Sequence, residues 1–439
     1  MGLTLSVERL SRFEENREHM RVSFPDEKLK ELPVSVIVPA HNEESCICDT
    51  VDSLLNEQYP GLEILVVDDG SEDRTAKQLI ERYRMRPEEH KAPQRIASRP
   101  VQRRYIRRLR DKTLVLLCKE NGGKADALNC GLNACTGSHC VVVDADTQIT
   151  AGALRIMAGH FAEEPDTIVC AGAVGTLLYH GGQYKALPLY RKLLVLFQHM
   201  EYYRTFYMQR LLFDRCNANV IVSGAFAMFD RELVLRAGGY RTDTIGEDME
   251  LTMRLHAFCL SQHRPYQIVY APEARCDTQV PFRYRDYCRQ RRRWHIGMIQ
   301  SLKQHLYMIG NHYYGWVGIL SVGFTLLYEL CAPVIEVLGL VILLLSAGLG
   351  MLDLHFALSI TAGYLLLSLL TQGVLLSALD TYGVEPIPLK RHVLLILTAA
   401  TELFLFHPVN LFIKLATIVT YHKHQQTWTH IRRIHEEKA

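Results

Sequence analysis

The sequence has little net charge, no C-x-x-C pair among its 12 cysteines, and no apolar run within its first 32 residues. The formal net charge of +2 gives no global field that would attract nucleic acid, so we expect no nucleic-acid partner. The scattered cysteines predict reduced thiols, with neither a disulfide framework nor a zinc site. The polar N-terminus predicts no signal peptide and no N-terminal membrane span, and we therefore expect a cytosolic globular part.

Apolar residues make up 48% of the chain and are concentrated late in the sequence. Residues 1–310 carry most of the charge, whereas residues 316–420 carry almost none. This asymmetry predicts a soluble domain followed by a membrane domain. We divide the chain into a polar N-terminal segment (1–32), a catalytic domain (33–300) and a membrane domain (301–439) with about two spans, interfacial helices and a basic cytosolic tail.

The membrane domain contains two long apolar segments, which predict a multi-pass protein of the cell membrane. The first, residues 316–350, is longer than a hydrocarbon core of about 30 Å requires, and we expect a break near Pro333. The second runs from Leu354 to Leu379, and Lys390 and Arg391 place the loop after it on the cytosolic side. Acidic residues in these surroundings are expected to have protein or water neighbours rather than lipid. They are Glu329, Glu336 and Glu402.

Short apolar runs alternate with helical patterns through the first half of the chain. The runs Val34–Val38, Leu62–Val67 and Thr113–Cys118 are each followed by a turn and a helical stretch. This spacing predicts βαβ units and an α/β fold with a mostly parallel central sheet. Residues 85–110 interrupt the pattern with arginines and prolines. We predict a solvated loop there, with contact to anionic lipid headgroups as the alternative.

Two carboxylates follow a buried run of valines at residues 141–143. At the tip of a strand, Asp144 and Asp146 can hold a hard divalent cation, which in turn binds a diphosphate. The alternative is that Asp144 caps the following turn and Asp146 is solvated. Ligands of parallel sheets gather beyond the carboxyl ends of the strands. We therefore expect Asp68–Ser71, which also follows a strand, to share a cleft with this pair.

Several other segments each admit a structural and a functional interpretation. Glycines and Lys124 at a helix start suit either a phosphate site or an ordinary turn. Glu247 and Asp248 at a helix N-terminus would interact favourably with the helix dipole, and the alternative is that Asp248 acts as a general base. The cationic stretch 283–294 is either a solvated helix face or a lid that neutralises a diphosphate. The aromatic-rich stretch 190–213 fits a membrane interface or a packed helix.

Six of these motifs occur in an order that is specific as a set. They are Pro39-Ala40-His41-Asn42-Glu43-Glu44, Val67-Asp68-Asp69-Gly70-Ser71, Gly123-Lys124-Ala125-Asp126-Ala127-Leu128-Asn129, Asp144-Ala145-Asp146, Gly246-Glu247-Asp248 and Gln290-Arg291-Arg292-Arg293-Trp294. The set resembles the inverting family 2 glycosyltransferases with a GT-A fold. More narrowly, it resembles the membrane-integrated synthases of cellulose, chitin, hyaluronan and poly-N-acetylglucosamine. The resemblance covers roughly residues 33–300 and extends into the membrane part through residues 328–336.

The resemblance implies a role for each matching position, with a UDP-sugar as donor and a growing glycan as acceptor. Asp69, with Asp68 and the loop from Ala40 through Asn42 to Glu43, would hold the uracil. Asp146, supported by Asp144, would bind Mg²⁺ or Mn²⁺ on the diphosphate, and Lys124 would meet the nucleotide. Asp248 would be the general base, with Glu247 beside it. The remaining implied residues, which would close over the diphosphate and form the acceptor end, are Gln290, Arg293, Trp294, Ser223 and Gly224.

The chain departs from the polymer synthases in two respects. They have membrane helices before the catalytic domain, and cellulose synthases carry a cyclic-nucleotide-binding domain for which this tail is too short. We therefore expect a second membrane subunit or a second copy of the chain to complete any secretion channel. Two alternatives stay open at this point. One is a single-sugar transferase acting on a lipid carrier, and the other is a non-catalytic subunit of a polysaccharide export complex.

Overall fold

A computed structural model describes residues 29–89, 93–177, 184–185, 187–381, 398, 401–402 and 404–423. Its centre is a ten-stranded sheet. The strands are β1 (Val34–Ala40), β2 (Leu62–Asp69), β3 (Arg86–Glu88), β4 (Val101–Arg108), β5 (Lys112–Lys119), β6 (His139–Val143), β7 (Thr147–Ile149), β8 (Thr167–Thr176), β9 (Phe226–Asp230) and β10 (Gln267–Thr278). Their order across the sheet is β3-β4-β5-β2-β1-β6-β9-β8-β10-β7. The predicted N-terminal segment lies, up to residue 28, outside the described residues, as do Lys390, Arg391 and the chain after residue 423.

The sheet is mixed, which corrects the prediction of a mostly parallel one. Strands β5, β2, β1 and β6 are parallel neighbours, as their helical connections require. The fourth parallel pair is β8 with β10, and the other five neighbouring pairs are antiparallel. The expected run of βαβ units therefore holds only for the central strands. Their carboxyl ends meet at one edge of the sheet.

Helices cover the sheet and continue beyond it. The catalytic half contains α1 (Ile47–Leu55), α2 (Thr75–Tyr83), α3 (Lys124–Ala134), α4 (Ala153–Glu163), α5 (Leu189–Arg204), α6 (Arg210–Asp214), α7 (Arg231–Arg236), α8 (Glu247–Ser261) and α9 (Tyr284–Gln304). A π-helical stretch, Thr205–Gln209, joins α5 to α6. Nearly all of β1, β2, β6 and β8 is buried, which explains their unbroken apolar runs. All twelve cysteines are free thiols, most of them buried.

The stretch predicted as a solvated loop instead contains two strands, so that prediction was wrong. Strand β3 pairs with β4, and β4 pairs antiparallel with β5, which extends the sheet at one edge. Alternate residues of β4 lie on opposite faces, and on one face Arg104 and Arg108 both pair with Glu88 at 3.1 Å. The arginines hid a strand because β4 lies next to the short edge strand β3 and its side chains are exposed or half-buried, so it has no apolar run.

Two local features concern the ends of elements near the sheet. Helix α1 is preceded by Cys46, whose side chain makes no capping hydrogen bond. The Cys46 thiol instead donates to Glu43 Oε2 at 3.1 Å. The run Val220–Phe229 is apolar on both sides of Ser223 and Gly224, and strand β9 begins only at Phe226. Ser223 and Gly224 therefore lie in the turn before the strand, where their backbone is free to contact other groups.

Two apolar helical segments follow the catalytic half. Val317–Gly348 and Leu354–Ser377 are each long and apolar enough to cross a membrane. The first begins π-helical and becomes α-helical at α10 (Ala332–Gly348), where Pro333 occupies the first turn and needs no backbone donor. The second is α11 (Leu354–Thr381), and a shorter helix, α12 (His407–Thr420), comes later in the chain.

The three acidic residues in apolar surroundings have protein partners, which confirms that prediction. Glu329 pairs with Lys414 at 2.6 Å and Glu336 with His407 at 2.7 Å. Glu402 pairs with Arg204 at the end of α5. A charge in an apolar medium is tolerated when it is paired. These pairs therefore connect the first apolar segment and α5 to residues 402–414.

Candidate active site

Lys124 lies at the centre of the cleft beyond the carboxyl ends of the central strands. It is the first residue of α3 and follows Gly123, whose φ of +88° suits glycine. The Lys124 ammonium lies 2.7 Å from Asp144 Oδ1 and 3.4 Å from Glu247 Oε1. Burial alone would lower the Lys124 pKa, but the charges of these two carboxylates raise it overall. Lys124 therefore stays charged and joins the end of β6 to the start of α8.

A second buried lysine fixes the loop that leads into α3. Lys119 ends β5 with a fully buried side chain and lies 2.5 Å from Asp69 Oδ1 and 2.7 Å from Asp126 Oδ1. The same Asp69 carboxylate accepts the Gly122 N–H at 3.0 Å and the Gly123 N–H at 2.7 Å. Asp69 therefore holds the glycine loop in place, in addition to any contact it makes with a ligand.

The loops after β1 and β2 are tied together beside this carboxylate. Asn42, at a φ of +57°, donates its backbone N–H to Ser71 Oγ at 2.9 Å and accepts the Glu72 N–H on Oδ1 at 2.8 Å. The buried Glu43 donates its N–H to Thr75 Oγ1 at 2.9 Å. Ala40 pairs with Asp68 across the sheet. These residues form one wall of the cleft, and burial raises the pKa of Asp68.

The Asp144–Asp146 pair occupies the turn between β6 and β7. Asp146 Oδ1 accepts from Thr278 Oγ1 at 3.1 Å and from Thr147 Oγ1 at 3.4 Å, which fixes this carboxylate. Burial raises the pKa of Asp144, Lys124 opposes this, and Asp146 adds to it. Two carboxylates are the hard oxygen donors that Mg²⁺ and Mn²⁺ prefer. Within the described ranges no three His, Cys, Asp or Glu side chains form a metal cluster, so a cation here would take further ligands from substrate and water.

Another wall of the cleft is formed by the start of α8, which contacts the turn before β9. Asp248 Oδ2 accepts the Gly224 N–H at 3.0 Å. A Cβ at Gly224 would lie 3.2 Å from that oxygen and 3.4 Å from Lys124 Nζ, so a side chain there would crowd both groups. Ser223 Oγ accepts the Ala225 N–H at 3.3 Å and shapes the same turn. Burial raises the pKa of Glu247, and Lys124 opposes this shift.

Helix α9 closes the cleft with its cationic stretch. Burial raises the pKa of both Asp144 and Glu247, and the Arg293 charge makes a smaller, opposing contribution to each, which indicates that Arg293 lies near them. Trp294, the next residue, is 42% exposed. Gln290 is buried, and its Oε1 has no hydrogen-bond partner among the described residues. Residues that are far apart in the sequence thus lie together around Lys124, with Asp69 one step behind them.

Some residues that shape the cleft were not assigned from the sequence. Lys119 and Thr278 fix Asp69 and Asp146, and Glu201 pairs with Arg291 of the α9 motif. Each lies at least 50 positions from its partner in the sequence. A lysine just before an Asn-Gly-Gly turn was the only local indication of this role.

Removing the buried lysine is expected to destabilise the protein. Lys119→Met leaves Asp69 and Asp126 as uncompensated buried charges, which costs about 3–5 kcal/mol. We expect a lower unfolding temperature in detergent, measured by loss of helical circular dichroism. Lys77→Met removes an exposed i,i+4 pair with Glu81 and serves as the matched control with little change. Equal melting temperatures for the two variants would contradict the structural role of Lys119.

Family models match most of this architecture. The model described as "Glycosyl transferase family 2" matches residues 35–236. The model described as "Glycosyl transferase family group 2" matches residues 139–379, which is more than half of the chain. The chain therefore belongs to the family 2 glycosyltransferases.

Two curated relatives and one solved structure are similar to this chain. The poly-β-1,6-N-acetyl-D-glucosamine synthase of Staphylococcus epidermidis is 27% identical over 267 residues, covering 60% of this chain and 54% of the relative. That of Staphylococcus aureus (strain COL) is 27% identical over 277 residues, covering 62% and 56%. The chain thus spans about half the length of these relatives. A mannosyltransferase from Pyrobaculum calidifontis, solved with GDP-mannose and Mn²⁺, has a TM-score of 0.51 at 23% identity and covers 85% of this chain and 87% of its own. That similarity establishes the shared fold.

Proposed function

We propose that this chain transfers a sugar, with inversion, from a UDP-sugar to a growing polysaccharide at the cytosolic face of the membrane. The observation that carries the proposal is the Lys124 ammonium, which bridges Asp144 and Glu247 beside Asp248 and Gly224. It brings the candidate metal-binding and general-base residues into one cleft. The proposed donor-binding wall, Ala40, Asn42, Glu43, Asp68 and Asp69, borders the same cleft.

The leaving group in this reaction is a nucleoside diphosphate, whose developing charge must be stabilised. Lys124 and Arg293 would meet this charge, since both lie close to Asp144. Asp144 and Asp146 would hold Mg²⁺ or Mn²⁺, which when bound supplies further positive charge to the diphosphate. Asp146 keeps its orientation through the Thr278 and Thr147 hydroxyls.

A single base is sufficient for inversion. Asp248 would take the proton from an acceptor hydroxyl, and its Oδ2 accepts the Gly224 N–H at 3.0 Å. Glu247 differs from Asp248 because its carboxylate pairs with the Lys124 ammonium. We therefore assign the proton transfer to Asp248 and a supporting electrostatic role to Glu247. Ser223 and Gly224 would form the floor on which the donor sugar lies.

The membrane assignment rests on the two apolar helices. Most large side chains of α10, and of α11 before its last turns, are exposed, so they need an apolar solvent such as lipid. Near the end of α11, Leu375, Leu376 and Leu379 are buried within the same core as the central sheet. This packing would hold the catalytic domain against the cytosolic leaflet. A multi-pass arrangement with the cleft facing the membrane lets a product leave beside the helices.

Purified protein in detergent or nanodiscs is expected to release UDP from one sugar donor in preference to others. The assay compares UDP-N-acetylglucosamine, UDP-glucose, UDP-galactose and UDP-glucuronate, and the names of the relatives favour the first. EDTA should abolish release, and Mn²⁺ or Mg²⁺ should restore it. Undiminished activity in EDTA would remove the metal role from Asp144 and Asp146.

Product length separates the proposed polymerase from the two alternatives. A labelled donor should enter products of many sugar units when a short glycan acceptor is supplied. A product of one sugar on an added polyprenyl phosphate would instead indicate a lipid-carrier transferase. No UDP release from any donor would favour a non-catalytic subunit.

A further inference from the structure

We propose that Gln300 of α9 is a positioning residue that holds the turn before α8 and so sets the place of Asp248 in the cleft. The inference rests on the proposed function and adds to it a residue outside the six motifs of the sequence. Gln300 follows Arg293 by seven positions on α9, so the two side chains lie on the same side of that helix. Arg293 lies near Asp144 and Glu247, and Gln300 is half-buried two turns further along.

Gln300 accepts two hydrogen bonds from the turn that leads into α8. Its Oε1 accepts the Ile245 N–H at 2.9 Å and the Thr244 hydroxyl at 3.1 Å. Thr244 Oγ1 in turn accepts the Gly246 N–H at 3.2 Å. Gly246, the residue before α8, makes no side-chain cap. The turn is therefore held by a side chain of another helix rather than by a cap of α8 itself.

The start of α8 and the middle of α9 are in backbone contact at two glycines. A Cβ at Gly246 would lie 2.7 Å from Gly297 C, and a Cβ at Gly297 would lie 2.8 Å from Gly246 Cα, so neither position has room for a side chain. The buried Ser301 Oγ lies 3.3 Å from Gly246 O and 2.9 Å from Gly297 O. Because packed interiors transmit displacements, a shift of α9 at this point would shift the start of α8.

A second contact joins the same two helices further from the cleft. The fully buried Glu250 accepts from Arg254 Nε and Nη2, each at 2.9 Å, and lies 3.4 Å from His305 Nε2. Burial would raise the Glu250 pKa, but the hydrogen bonds from His305 and Arg254 lower it overall. Met249 of α8 and Leu302 of α9 belong to one buried apolar cluster. The two helices are thus packed as one unit, and Gln300 fixes its end nearest the cleft.

Asp248 takes its orientation from the backbone around the start of α8. Its Oδ2 accepts the Gly224 N–H at 3.0 Å, and its Oδ1 accepts an N–H of the first turn of α8 at 2.7 Å. The place of the proposed base therefore follows that of the turn that Gln300 holds. Since Arg293 belongs to α9 and acts electrostatically on Glu247, the same contact sets the base relative to a cation proposed to meet the diphosphate.

Steady-state kinetics of two Gln300 variants test the positioning role. Gln300→Met keeps the length of the side chain and removes both hydrogen bonds to the turn. We expect kcat for transfer to fall about 30-fold, because proton transfer depends on the placement of the base. The KM for the UDP-sugar should change less than about twofold. Gln300→Glu keeps an acceptor oxygen for both donors and should retain more of kcat. Gln262→Met alters an exposed glutamine just after α8 and is the matched control.

A double-mutant cycle tests whether Gln300 acts through Asp248. Asp248→Asn removes the base, so adding Gln300→Met to it should lower the remaining rate by less than about twofold. A further loss of about 30-fold in that background would mean that the two residues act independently, and would overturn the inference. An unchanged kcat in Gln300→Met, or a donor KM that rises as much as kcat falls, would overturn it as well.

Hydrogen exchange of the full chain in detergent, without any substrate, keeps the inference separate from the proposed function. Because the Ile245 N–H donates to Gln300 Oε1, its exchange in Gln300→Met should be at least about tenfold faster, followed by mass spectrometry of peptides that contain residues 244–249. Thr244→Val releases the Gly246 N–H of the same turn and gives the same readout should Gln300→Met fail to fold. Faster exchange without sugar transfer from any donor would refute the proposed function while supporting the contact. Unchanged exchange would refute the positioning role even if transfer occurs.

Discussion

Asp248→Asn is expected to lower the rate of sugar transfer by about 10³-fold, because the amide cannot accept the acceptor's proton. The substitution keeps the size of the side chain, and the amide oxygen can still accept the Gly224 N–H that Asp248 Oδ2 accepts at 3.0 Å. The turn before β9 should therefore keep its shape. UDP-sugar binding, measured by calorimetry, should change less than threefold, since the donor contacts of the cleft remain.

Two neighbouring acids provide the controls for this result. Asp243→Asn alters an exposed carboxylate paired with Arg241 and should leave transfer unchanged. Glu247→Gln removes the Lys124 partner without removing the base, and its loss of rate should be smaller than that of Asp248→Asn. A larger loss in Glu247→Gln would move the base assignment to Glu247. Substantial activity in Asp248→Asn would contradict a base at this position.

Much of the cleft was predictable because its residues follow buried strands. The valines at residues 141–143 and the run Leu62–Val67 are each apolar on both faces, which identifies central strands of an α/β sheet. Carboxylates that follow such strands necessarily lie at one edge. Asp68 and Asp144 are examples, and the pairing of β1 with both β2 and β6 places them there.

The other features of the fold and of the site depend on contacts between residues far apart in the sequence, which no local pattern predicts. Lys119 was assigned no role, although its burial with Asp69 and Asp126 sets the glycine loop. Strands β3 and β4 were hidden because their stabilising partners are β5 and Glu88 rather than an apolar period of their own. The choice between a membrane interface and a packed helix for residues 190–213 was also beyond sequence reasoning. Most of α5 after its first turns is buried, and it contributes Glu201 to the cleft.

Lys124→Met is expected to lower transfer by about 100-fold, the typical cost of losing one group that stabilises developing charge. The ammonium lies 2.7 Å from Asp144 Oδ1 and 3.4 Å from Glu247 Oε1, so the variant also leaves these two half-buried carboxylates without their shared cation. Lys124→Arg keeps the charge and should retain more activity. Both variants should be compared at saturating donor, so that the measured rate reports the chemical step.

The pH dependence of transfer by Lys124→Met distinguishes the loss of a phosphate contact from a change in the pKa of Asp144 and Glu247. Burial raises the pKa of Asp144 and of Glu247, and Lys124 opposes both shifts. Without that ammonium each pKa rises further, so each carboxylate is protonated at a higher pH than before. If transfer needs them ionised, the acid limb of the pH–rate profile moves to higher pH in Lys124→Met and stays in place in Lys124→Arg. A profile that falls in height without moving would mean that Lys124 acts on the diphosphate alone, and that its bridge to Asp144 and Glu247 does not control their ionisation.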